Sequence, residues 1–274
     1  AERPVGVIAQ LGGQTPLRLA RPLSERGIPV LGTSPDQIDM AEDRGRFGAL
    51  LGDLGLKAPP WAMAEGEADL LAAADQVGYP ALVRPSYVLG GRAMAIVSGP
   101  DELKAWLVKE KPLGLVMVDR FLAGAVEIDV DALSDGDDTW IAGVMEHVEE
   151  AGVHSGDSAC VLPPQGMTPE SVADVRRQAA MLAEAIGVRG LLNVQFALRD
   201  GIAYVIEANP RASRTVPFVA KATGVPIVHH AVRLMLGERI ADLGLPVGNP
   251  MKHVAVKEAV LPFDRFPGVD PALT

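Results

Sequence analysis

The sequence predicts a layered α/β or α+β protein, and three observations support this prediction. Short apolar segments of strand length alternate with helical segments along the chain. The helical segments show apolar residues at helical spacing, most clearly at residues 168–186, where Val175, Ala179 and Leu182 share one face. The chain of 274 residues is 48% hydrophobic but only 4% aromatic, so an aliphatic core of substantial size is expected.

The first forty residues predict a βαβ unit. Strands are expected at residues 5–10 and 28–32, with a helix at 15–26 between them that has Pro16 in its first turn. Ser34 then begins a helical stretch that is expected to run through residue 53, because an N-cap serine, a proline and an acid follow one another there.

The rest of the chain continues the alternation. The proline-marked stretch 57–63 is expected to cross between domains. The further predicted elements are helices at residues 66–77, 100–109, 168–186, 214–222 and 226–236, strands at 79–85, 93–99, 113–122 and 253–261, and hairpins around Asp135-Gly136 and Asp200-Gly201.

Charge and composition exclude several classes of protein. A net charge of −10 and a pI near 5.0 argue against nucleic acid as the main partner, so any anion site must be a local concentration of arginine. The single cysteine excludes an internal disulfide and fits a reducing cytoplasm. No apolar run reaches the ~18 residues of a membrane span. Both ends look cut, which suggests a domain excised from a longer polypeptide.

The segment at residues 193–214 carries the strongest functional signal. Gln195, Glu207 and Asn209 lie on two short apolar strands and offer the oxygen ligands that Mg²⁺ prefers. Arg211 and Arg214 follow directly, and their guanidinium groups suit phosphates. The pattern predicts a nucleotide site, although an ordinary hairpin with a polar outer face would show the same alternation.

The pairing of these strands depends on the hairpin loop. A two-residue loop would pair Gln195 with Ile206 and send Gln195 and Glu207 to opposite faces. A three-residue loop with Gly201 in a left-handed conformation pairs Gln195 with Glu207 directly. We predict the second arrangement, because it brings both oxygens to one metal ion.

Two loops have both a plain and a functional interpretation. Gly90-Gly91, flanked by Arg84 and Arg92, is either a hairpin turn or a flap over phosphates. The polar loop that contains His147 and His154 is either solvated or lines a nucleotide or cation, and its spacing does not favour zinc.

Two acidic strand residues and the single cysteine give weaker indications of function. Glu127 and Asp129 share one strand face and either accept from ribose hydroxyls or face solvent. Cys160 lacks a histidine and acid in the pattern of a nucleophile, so it is expected to be a small buried residue.

Five motifs together resemble one family, the large subunit of carbamoyl phosphate synthetase, an ATP-grasp ligase. They are RPSYVLGGRAM, MEHVEEAGVHSGDSAC, NVQFA, IEANPRASRTVPFVAKATGVP and VKEAVLPFDRFPGVDP. Their spelling resembles that of the second, carbamate-phosphorylating half. The resemblance implies an ATP-grasp fold preceded by part of a Rossmann-like βαβ domain. It implies these limits: a partial pre-ATP-grasp domain at 1–40, a linker and first subdomain at 41–120 with a flap at 84–94, a second subdomain at 121–260, and the start of an extension at 261–274.

The resemblance also implies a ligand set of ATP, two divalent ions (Mg²⁺ or Mn²⁺) and a possible K⁺. The ATP residues would be Arg44 and Arg84 at the phosphates or base edge, Gly90, Gly91 and Arg92 in the flap, Asp119, Arg120 and Leu122 at the adenine hinge, Glu127 at the ribose, and Gly152, Val153, His154 and Ser155 along the nucleotide. The ion and catalytic residues would be Gln195, Glu207 and Asn209 for the divalent ions, Asn209, Arg211 and Arg214 for catalysis, and Glu127, His147, Glu149 and Ser158 near K⁺. Arg120 departs from the histidine that is common at this position.

The implied activity is the phosphorylation of carbamate by ATP, for the pyrimidine and arginine pathways. The implied partners are the other synthetase half, an allosteric domain and a glutamine amidotransferase subunit, none of which this chain contains. Two alternatives remain open: a module that binds nucleotide without turnover, and another ATP-grasp carboxylase or ligase such as biotin carboxylase. The spellings RPSYVLGGRAM and GVHSGDSAC argue against biotin carboxylase.

Overall fold

The computed structural model describes residues 3–85, 94–112, 114–150, 158–248, 251–260 and 265. The chain divides into two compact units, a smaller one at Ala58–Gly124 and a larger one formed by the described residues before and after it. Each unit has its own hydrophobic core. Within the described ranges no helix is long and apolar enough to cross a membrane. The domain limits implied by the resemblance remain predictions.

The larger unit begins with two parallel strands and four helices. Its first elements are β1 (Val7–Ile8), α1 (Gln14–Leu17), α2 (Ala20–Glu25), β2 (Val30–Leu31), α3 (Pro35–Glu42) and α4 (Arg44–Asp53). Strands β1 and β2 pair in parallel, as the βαβ prediction requires, but each is only two residues long.

Two predicted helices are interrupted in the structure. The helix predicted at 15–26 breaks between α1 and α2, because Pro22 has no N–H to donate to the carbonyl of Arg18. The helix predicted at 34–53 breaks at Asp43, whose extended backbone ends α3. The Asp43 carboxylate then caps α4 by accepting a hydrogen bond of 2.8 Å from a backbone N–H in its first turn. Both single-helix predictions were wrong at these points.

The smaller unit is an antiparallel sheet of four strands packed with two helices. Its elements are β3 (Trp61–Ala64), α5 (Glu67–Val77), β4 (Ala81–Pro85), β5 (Ala95–Val97), α6 (Pro100–Glu110) and β6 (Val116–Arg120), with the strand order β3-β6-β4-β5. Leu70 and Leu103 from the helices pack with Val83 and Val118 from the strands. The stretch 57–63, which was predicted to cross between domains, contains the boundary between the two units at Lys57 and Ala58 and the first residues of β3.

An antiparallel sheet of six strands forms the centre of the larger unit. Its strands are β7 (Val126–Asp135), β8 (Thr139–Glu150), β9 (Cys160–Leu162), β10 (Arg189–Arg199), β11 (Ile202–Asn209) and β12 (Ala255–Lys257), in the order β11-β10-β7-β8-β9-β12. The helices of this part are α7 (Pro169–Ile186), α8 (Val216–Thr223), α9 (Ile227–Met235) and a short 3₁₀ helix (Ile240–Asp242). Strand β12 is shorter than the predicted 253–261.

Helices pack on both faces of this sheet. One face carries Leu133 and Leu191, which join Val219 of α8 and Ile227 of α9 in one apolar cluster. The fully buried Ile128 lies on the opposite face, because strand side chains alternate. Helix α7 packs on β7, β8, β10 and β11. The sheet is therefore covered by helices on both sides.

The β10–β11 hairpin turns through a two-residue loop. Arg199 pairs with Ile202, and the residues between them, Asp200 and Gly201, have φ angles of 52° and 75°. Two positive φ angles are typical of a type I′ turn, for which Asp-Gly is a favoured sequence. The predicted three-residue loop was therefore wrong.

A β-bulge restores the pairing that was predicted for the site. The register shifts between Gln195 and Phe196, so Ile206 is the extra residue on β11 and Gln195 pairs directly with Glu207. The predicted pairing of Gln195 with Glu207 is confirmed. Loop length alone does not set the register here, because the bulge adds one residue on β11.

Candidate active site

A cavity of about 490 Å³ lies beside the β10–β11 hairpin in the larger unit. Its walls are formed by the two hairpin strands, by the chain that follows β11, and by the chain from residue 11 to the first residue of α1. The lining residues are Asn193, Gln195, Glu207, Asn209, Arg211, Ala212, Ser213, Arg214, Leu11, Gly12, Gly13 and Gln14. The five residues of the segment 193–214 that were predicted to bind metal and phosphate therefore line one cavity: Gln195, Glu207, Asn209, Arg211 and Arg214.

Four amide and carboxylate side chains form a polar patch on one face of the hairpin. Asn193 pairs with Asn209, and Gln195 pairs with Glu207. Alternate residues of a strand share a face, so all four side chains lie on the cavity side, while Val194 is fully buried on the other face.

Hydrogen bonds connect the carboxylate of this patch to the arginine that follows it. Asn209 Nδ2 donates to Glu207 Oε1 at 2.7 Å, and Arg211 Nη2 donates to Asn209 Oδ1 at 3.1 Å. Arg211 Nη1 also donates to the carbonyl of Ala212 at 3.2 Å. These bonds hold the carboxylate, amide and guanidinium in fixed relative positions.

The chemistry of this patch fits a divalent cation beside an anion. Glu207 is exposed to the cavity, and the amide oxygens of Gln195 and Asn209 add hard ligands of the kind that Mg²⁺ takes, since a carbonyl oxygen has two lone pairs. Arg211 Nε is buried and has no hydrogen-bond partner among the described residues. A buried donor of this kind fits an anionic oxygen, and the exposed Arg214 adds a second positive charge at the same cavity.

A buried carboxylate behind the cavity wall was not identified from the sequence. Asp131 lies opposite Asn193 in the sheet and is fully buried. Its Oδ1 accepts hydrogen bonds from Asn193 Nδ2 (2.9 Å) and Ser213 Oγ (2.8 Å), and its Oδ2 accepts one from Thr215 Oγ1 (2.7 Å). Burial and the charge of Asp129 raise the pKa of Asp131 to about 6, while these three hydrogen bonds oppose the shift. The regular alternation of acids along β7 was the available sequence signal.

The buried side chain of Gln10, two residues after β1, holds the segment around Pro210 and Ala212. Gln10 Nε2 donates to the carbonyl of Pro210 (2.7 Å) and to Thr33 Oγ1 (2.9 Å), and Gln10 Oε1 accepts from Thr33 N (2.9 Å). The backbone N–H of Ala212 donates to the carbonyl of Gln10 at 2.8 Å. Gln10, two residues after β1, thus positions the residues on either side of Arg211.

A second cluster of possible cation ligands lies on β7 and β8. Glu127, Asp129 and His147 are all buried, and one ligand atom from each lies within 4.8 Å of the others. His147 Nε2 contacts Asp129 Oδ2 at 3.2 Å, and His147 Nδ1 is hydrogen-bonded to Ser158 Oγ. Asp129 Oδ1 is buried without a hydrogen-bond partner in the described part of the chain. Glu127 and Asp129 are therefore not solvent-facing, and the cluster fits a cation.

Glu149, Ser158 and Cys160 lie around this cluster. Glu149 Oε2 accepts a hydrogen bond from Ala159 N at 2.7 Å, and the carbonyl of Ser158 accepts one from Lys257 Nζ at 2.7 Å. Cys160 is fully buried, and burial raises the pKa of its thiol to about 11. The prediction that Cys160 is a small buried residue is confirmed.

Among the described residues, four of those predicted to bind the nucleotide lie in the smaller unit. Arg84 on β4 forms an ion pair with Asp119 on β6, with 3.0 Å between Nη2 and Oδ2. Burial raises the pKa of Asp119, and the charge of Arg84 opposes this effect. Arg120 ends β6, where its backbone N–H donates to the carbonyl of Pro60 at 2.8 Å. Leu122 follows the strand and is half-buried.

The remaining predicted nucleotide residues are Arg44 and two groups that lie outside the described residues. Arg44 is half-buried at the start of α4 and is not among the lining residues. The flap residues Gly90, Gly91 and Arg92, and the loop residues Gly152, Val153, His154 and Ser155, lie outside the described residues.

Comparison of the sequence with known families gives two matches. The Carbamoyl-phosphate synthase L chain, ATP binding domain, matches residues 43–243, and the Carbamoyl phosphate synthase preATP-grasp domain matches residues 1–40. The carbamoyl phosphate synthase large chain of Ralstonia nicotianae is 53% identical over 279 residues, which cover 99% of this chain and 26% of that protein. That of Methanothermobacter thermautotrophicus is 51% identical over 278 residues, with 99% and 26% covered. The chain spans about a quarter of the length of these relatives.

Solved structures of other enzymes share the fold. A biotin carboxylase–β,γ-ATP complex from Campylobacter jejuni superposes with a TM-score of 0.74 at 16% identity, covering 92% of this chain and 58% of that one. The N5-carboxyaminoimidazole ribonucleotide synthetase of Thermus thermophilus gives a TM-score of 0.68 at 21% identity, covering 86% and 61%. At these identities the likeness concerns the fold alone. The predicted α+β ATP-grasp fold is confirmed.

Proposed function

Because this chain belongs to the family of the carbamoyl-phosphate synthase L chain ATP-binding domain, we propose that it phosphorylates carbamate with ATP to form carbamoyl phosphate and ADP. One observation carries the proposal: Gln195, Glu207 and Asn209 line the same 490 Å³ cavity as Arg211 and Arg214. Oxygen ligands for divalent ions next to arginines suit phosphoryl transfer, which depends on positioning and charge neutralisation.

The arginines would act on the transferred phosphoryl group. A carbamate oxygen attacks the γ-phosphorus, the bond to the β–γ bridging oxygen breaks, and ADP leaves with that electron pair. Arg211 and Arg214 would stabilise the charge that spreads over the remaining phosphoryl oxygens. Arg211 is already held by Asn209, so little reorganisation is needed. No protein nucleophile is required by this scheme.

Divalent ions would be held by the polar patch of the hairpin. Gln195, Glu207 and Asn209 would bind Mg²⁺ or Mn²⁺, two ions as the family resemblance implies, through amide and carboxylate oxygens. When bound, such ions neutralise phosphate charge and orient the phosphates. In this role Asn209 keeps its bond to Arg211 through one lone pair of Oδ1 and uses the other for the metal.

We further assign a monovalent cation, K⁺, to the buried cluster of Glu127, Asp129 and His147. The buried oxygen Asp129 Oδ1, which lacks a hydrogen-bond partner in the described ranges, supports this assignment. Glu149 and Ser158 lie next to the cluster and would complete it.

The motifs also suggest which part of a full-length synthetase this chain would be. The chain would be the carbamate-phosphorylating half and would receive carbamate from the other synthetase half. An allosteric domain and a glutamine amidotransferase subunit would be the further partners.

Formation of ATP from carbamoyl phosphate and MgADP, with K⁺ present, tests the proposal. The parent protein should form ATP, and Glu207→Gln should lower the rate by at least about 10²-fold, because a charged ligand to the divalent ion is lost. Glu184→Gln, an exposed change on α7, is the matched control and should leave the rate unchanged.

Two outcomes would contradict the proposal. A folded parent that binds MgADP but forms no ATP would be a nucleotide-binding module without turnover. Equal rates for the parent and Glu207→Gln would remove the metal assignment.

A further inference from the structure

The segment that carries both arginines of the cavity is held by buried groups on either side. Gln10 fixes its first part, through the carbonyl of Pro210 and the N–H of Ala212. Asp131 fixes its second part, through the hydroxyls of Ser213 and Thr215.

The bonds of Asp131 also tie this segment to the metal-binding strand. Its Oδ1 is shared by Asn193 Nδ2 (2.9 Å) and Ser213 Oγ (2.8 Å), so one atom joins β10 to the residue directly before Arg214. Ser213 Oγ also lies 2.7 Å from Thr215 Oγ1 and accepts a bond of 3.1 Å from Val216 N, the first residue of α8. The hydroxyl network therefore fixes the backbone on both sides of Arg214.

We propose that Asp131 is a positioning residue that sets the place of Arg214, and through the same segment Arg211, relative to the Gln195–Glu207 pair. This inference rests on the proposed function of the cavity. Arg214 is exposed, so the backbone at Ser213 and Thr215 determines where its guanidinium can reach. Asp131 itself is fully buried and does not line the cavity.

Geometry of this kind affects turnover more than binding. A misplacement of about 1 Å in a group that acts on the transition state can cost ~10²-fold in rate. Nucleotide affinity depends on many contacts and should change much less. A residue that only stabilised the fold would lower the amount of folded protein and leave the turnover of each folded molecule unchanged.

Asp135 provides a matched control in the same strand. It is also fully buried and accepts four hydrogen bonds, but its donors are Asp137 N, Asp138 N, Arg239 Nε and Ile240 N. None of these five residues lines the cavity. Asp135→Ala therefore reports what the loss of a buried, hydrogen-bonded carboxylate from β7 does to the fold alone.

The experiment compares Asp131→Ala, Asp131→Asn and Asp135→Ala by ATP formation, by direct titration with MgADP and by thermal unfolding. Asp131→Ala should lower kcat about 10²-fold, with the Kd for MgADP changed less than about threefold. Asp131→Asn should recover at least about tenfold of this loss, because its amide still accepts from Asn193 and Ser213 and can donate to Thr215. Asp135→Ala should lower Tm and keep kcat.

Three results would overturn the inference. They are an unchanged kcat in Asp131→Ala, a loss of kcat in Asp135→Ala as large as that in Asp131→Ala, and a parallel loss of kcat and nucleotide affinity. If Asp131→Ala does not fold, Thr215→Val takes its place, because this change removes only the hydrogen bond to Asp131 Oδ2. Thr215→Val should lower kcat and leave the Kd for MgADP unchanged. An unchanged kcat in Thr215→Val overturns the inference.

Hydrogen exchange separates this inference from the proposed function. If the parent forms no ATP, the proposed function fails, and the anchoring by Asp131 is measured from the exchange of Val216 N–H, which is bonded to Ser213 Oγ. Faster exchange at Val216 in Asp131→Ala, but not in Asp135→Ala, supports the anchoring. Unchanged exchange overturns it.

Discussion

Asn209 is the residue that connects the two chemical parts of the cavity. Its amide donates to Glu207 and accepts from Arg211, so the proposed metal ligand and the proposed phosphoryl-binding group share one hydrogen-bonded chain. The three side chains restrict one another before any ligand binds. A site of this kind needs little reorganisation when charge develops in the transition state.

The sequence predicted the polar residues that line the cavity but not the buried residues that hold them in place. Gln195, Glu207 and Arg211 were found because oxygen ligands and arginines stand close together in the sequence. Asp131 and Gln10 were missed, because their partners are separated from them by 62 to 84 and by up to 200 residues, respectively. Local patterns do not contain such pairings, which appear only after the strands are aligned.

Asp129 gives a prediction about potassium. If K⁺ binds the cluster of Glu127, Asp129 and His147, it stabilises the folded state by RT ln(1 + [K⁺]/Kd), about 1.4 kcal/mol at ten times Kd. KCl should therefore raise the Tm of the parent more than choline chloride at equal concentration. Asp129→Asn should lose this difference, because a charged oxygen is removed.

The control for the potassium measurement is again Glu184→Gln, which should respond to KCl like the parent. An equal response of Asp129→Asn and the parent would assign any potassium effect to another place in the molecule.

At the scale of elements, the β10–β11 hairpin shows how a correct pairing arose from an incorrect loop. Asp200-Gly201 favours a two-residue turn, and that local preference is satisfied. The apolar residues Phe196 and Val205 keep their places opposite each other on the buried face. The bulge at Ile206 allows both the two-residue turn and the pairing of Phe196 with Val205, and it leaves Glu207 opposite Gln195.

The turn between β7 and β8 depends on Asp135. Burial alone would raise the pKa of this carboxyl, but hydrogen bonds from the backbone N–H groups of Asp138, Ile240 and Asp137 and from Arg239 outweigh burial and lower the pKa to about 2. The ionised form is therefore favoured in the folded chain.

This lowered pKa predicts a loss of stability in acid. The unfolded chain takes up the proton near the ordinary pKa of 3.8, before the folded chain does. The stabilisation by ionised Asp135 is complete above this pH and disappears as the pH falls through about 2. The loss should amount to about 2 kcal/mol in the free energy of unfolding.

Urea unfolding of the parent and Asp135→Asn between pH 5 and pH 2 measures this contribution. The parent should be the more stable protein at pH 5, and the difference should shrink toward pH 2. A difference that does not change with pH would mean that Asp135 has the same pKa in both states.

At the scale of the whole molecule, the chain has at least two separate cores. The larger unit packs α8 and α9 on its six-stranded sheet, and the smaller unit packs α5 and α6 on its four-stranded sheet. The alternation of strands and helices predicted the layers of each unit. The alternation alone did not predict that residues 58–124 form their own compact unit, because that depends on which strands join the same sheet. The proline-marked stretch 57–63, which was expected to cross between domains, does contain the start of this unit.

The separate cores predict that a change in one unit destabilises that unit first. Leu103 is fully buried in the core of the smaller unit, so Leu103→Ala should cost about 2–5 kcal/mol there through lost burial and a cavity.

Tryptophan fluorescence reports on each unit separately. Trp61 and Trp106 lie in the smaller unit, and Trp140 packs against the core of the larger one. Denaturant unfolding is followed by fluorescence in a Trp140→Phe background and in a Trp61→Phe/Trp106→Phe background. Leu103→Ala should move the midpoint to lower denaturant in the first background and leave it in place in the second. Equal shifts in both would show that the two cores unfold as one cooperative unit.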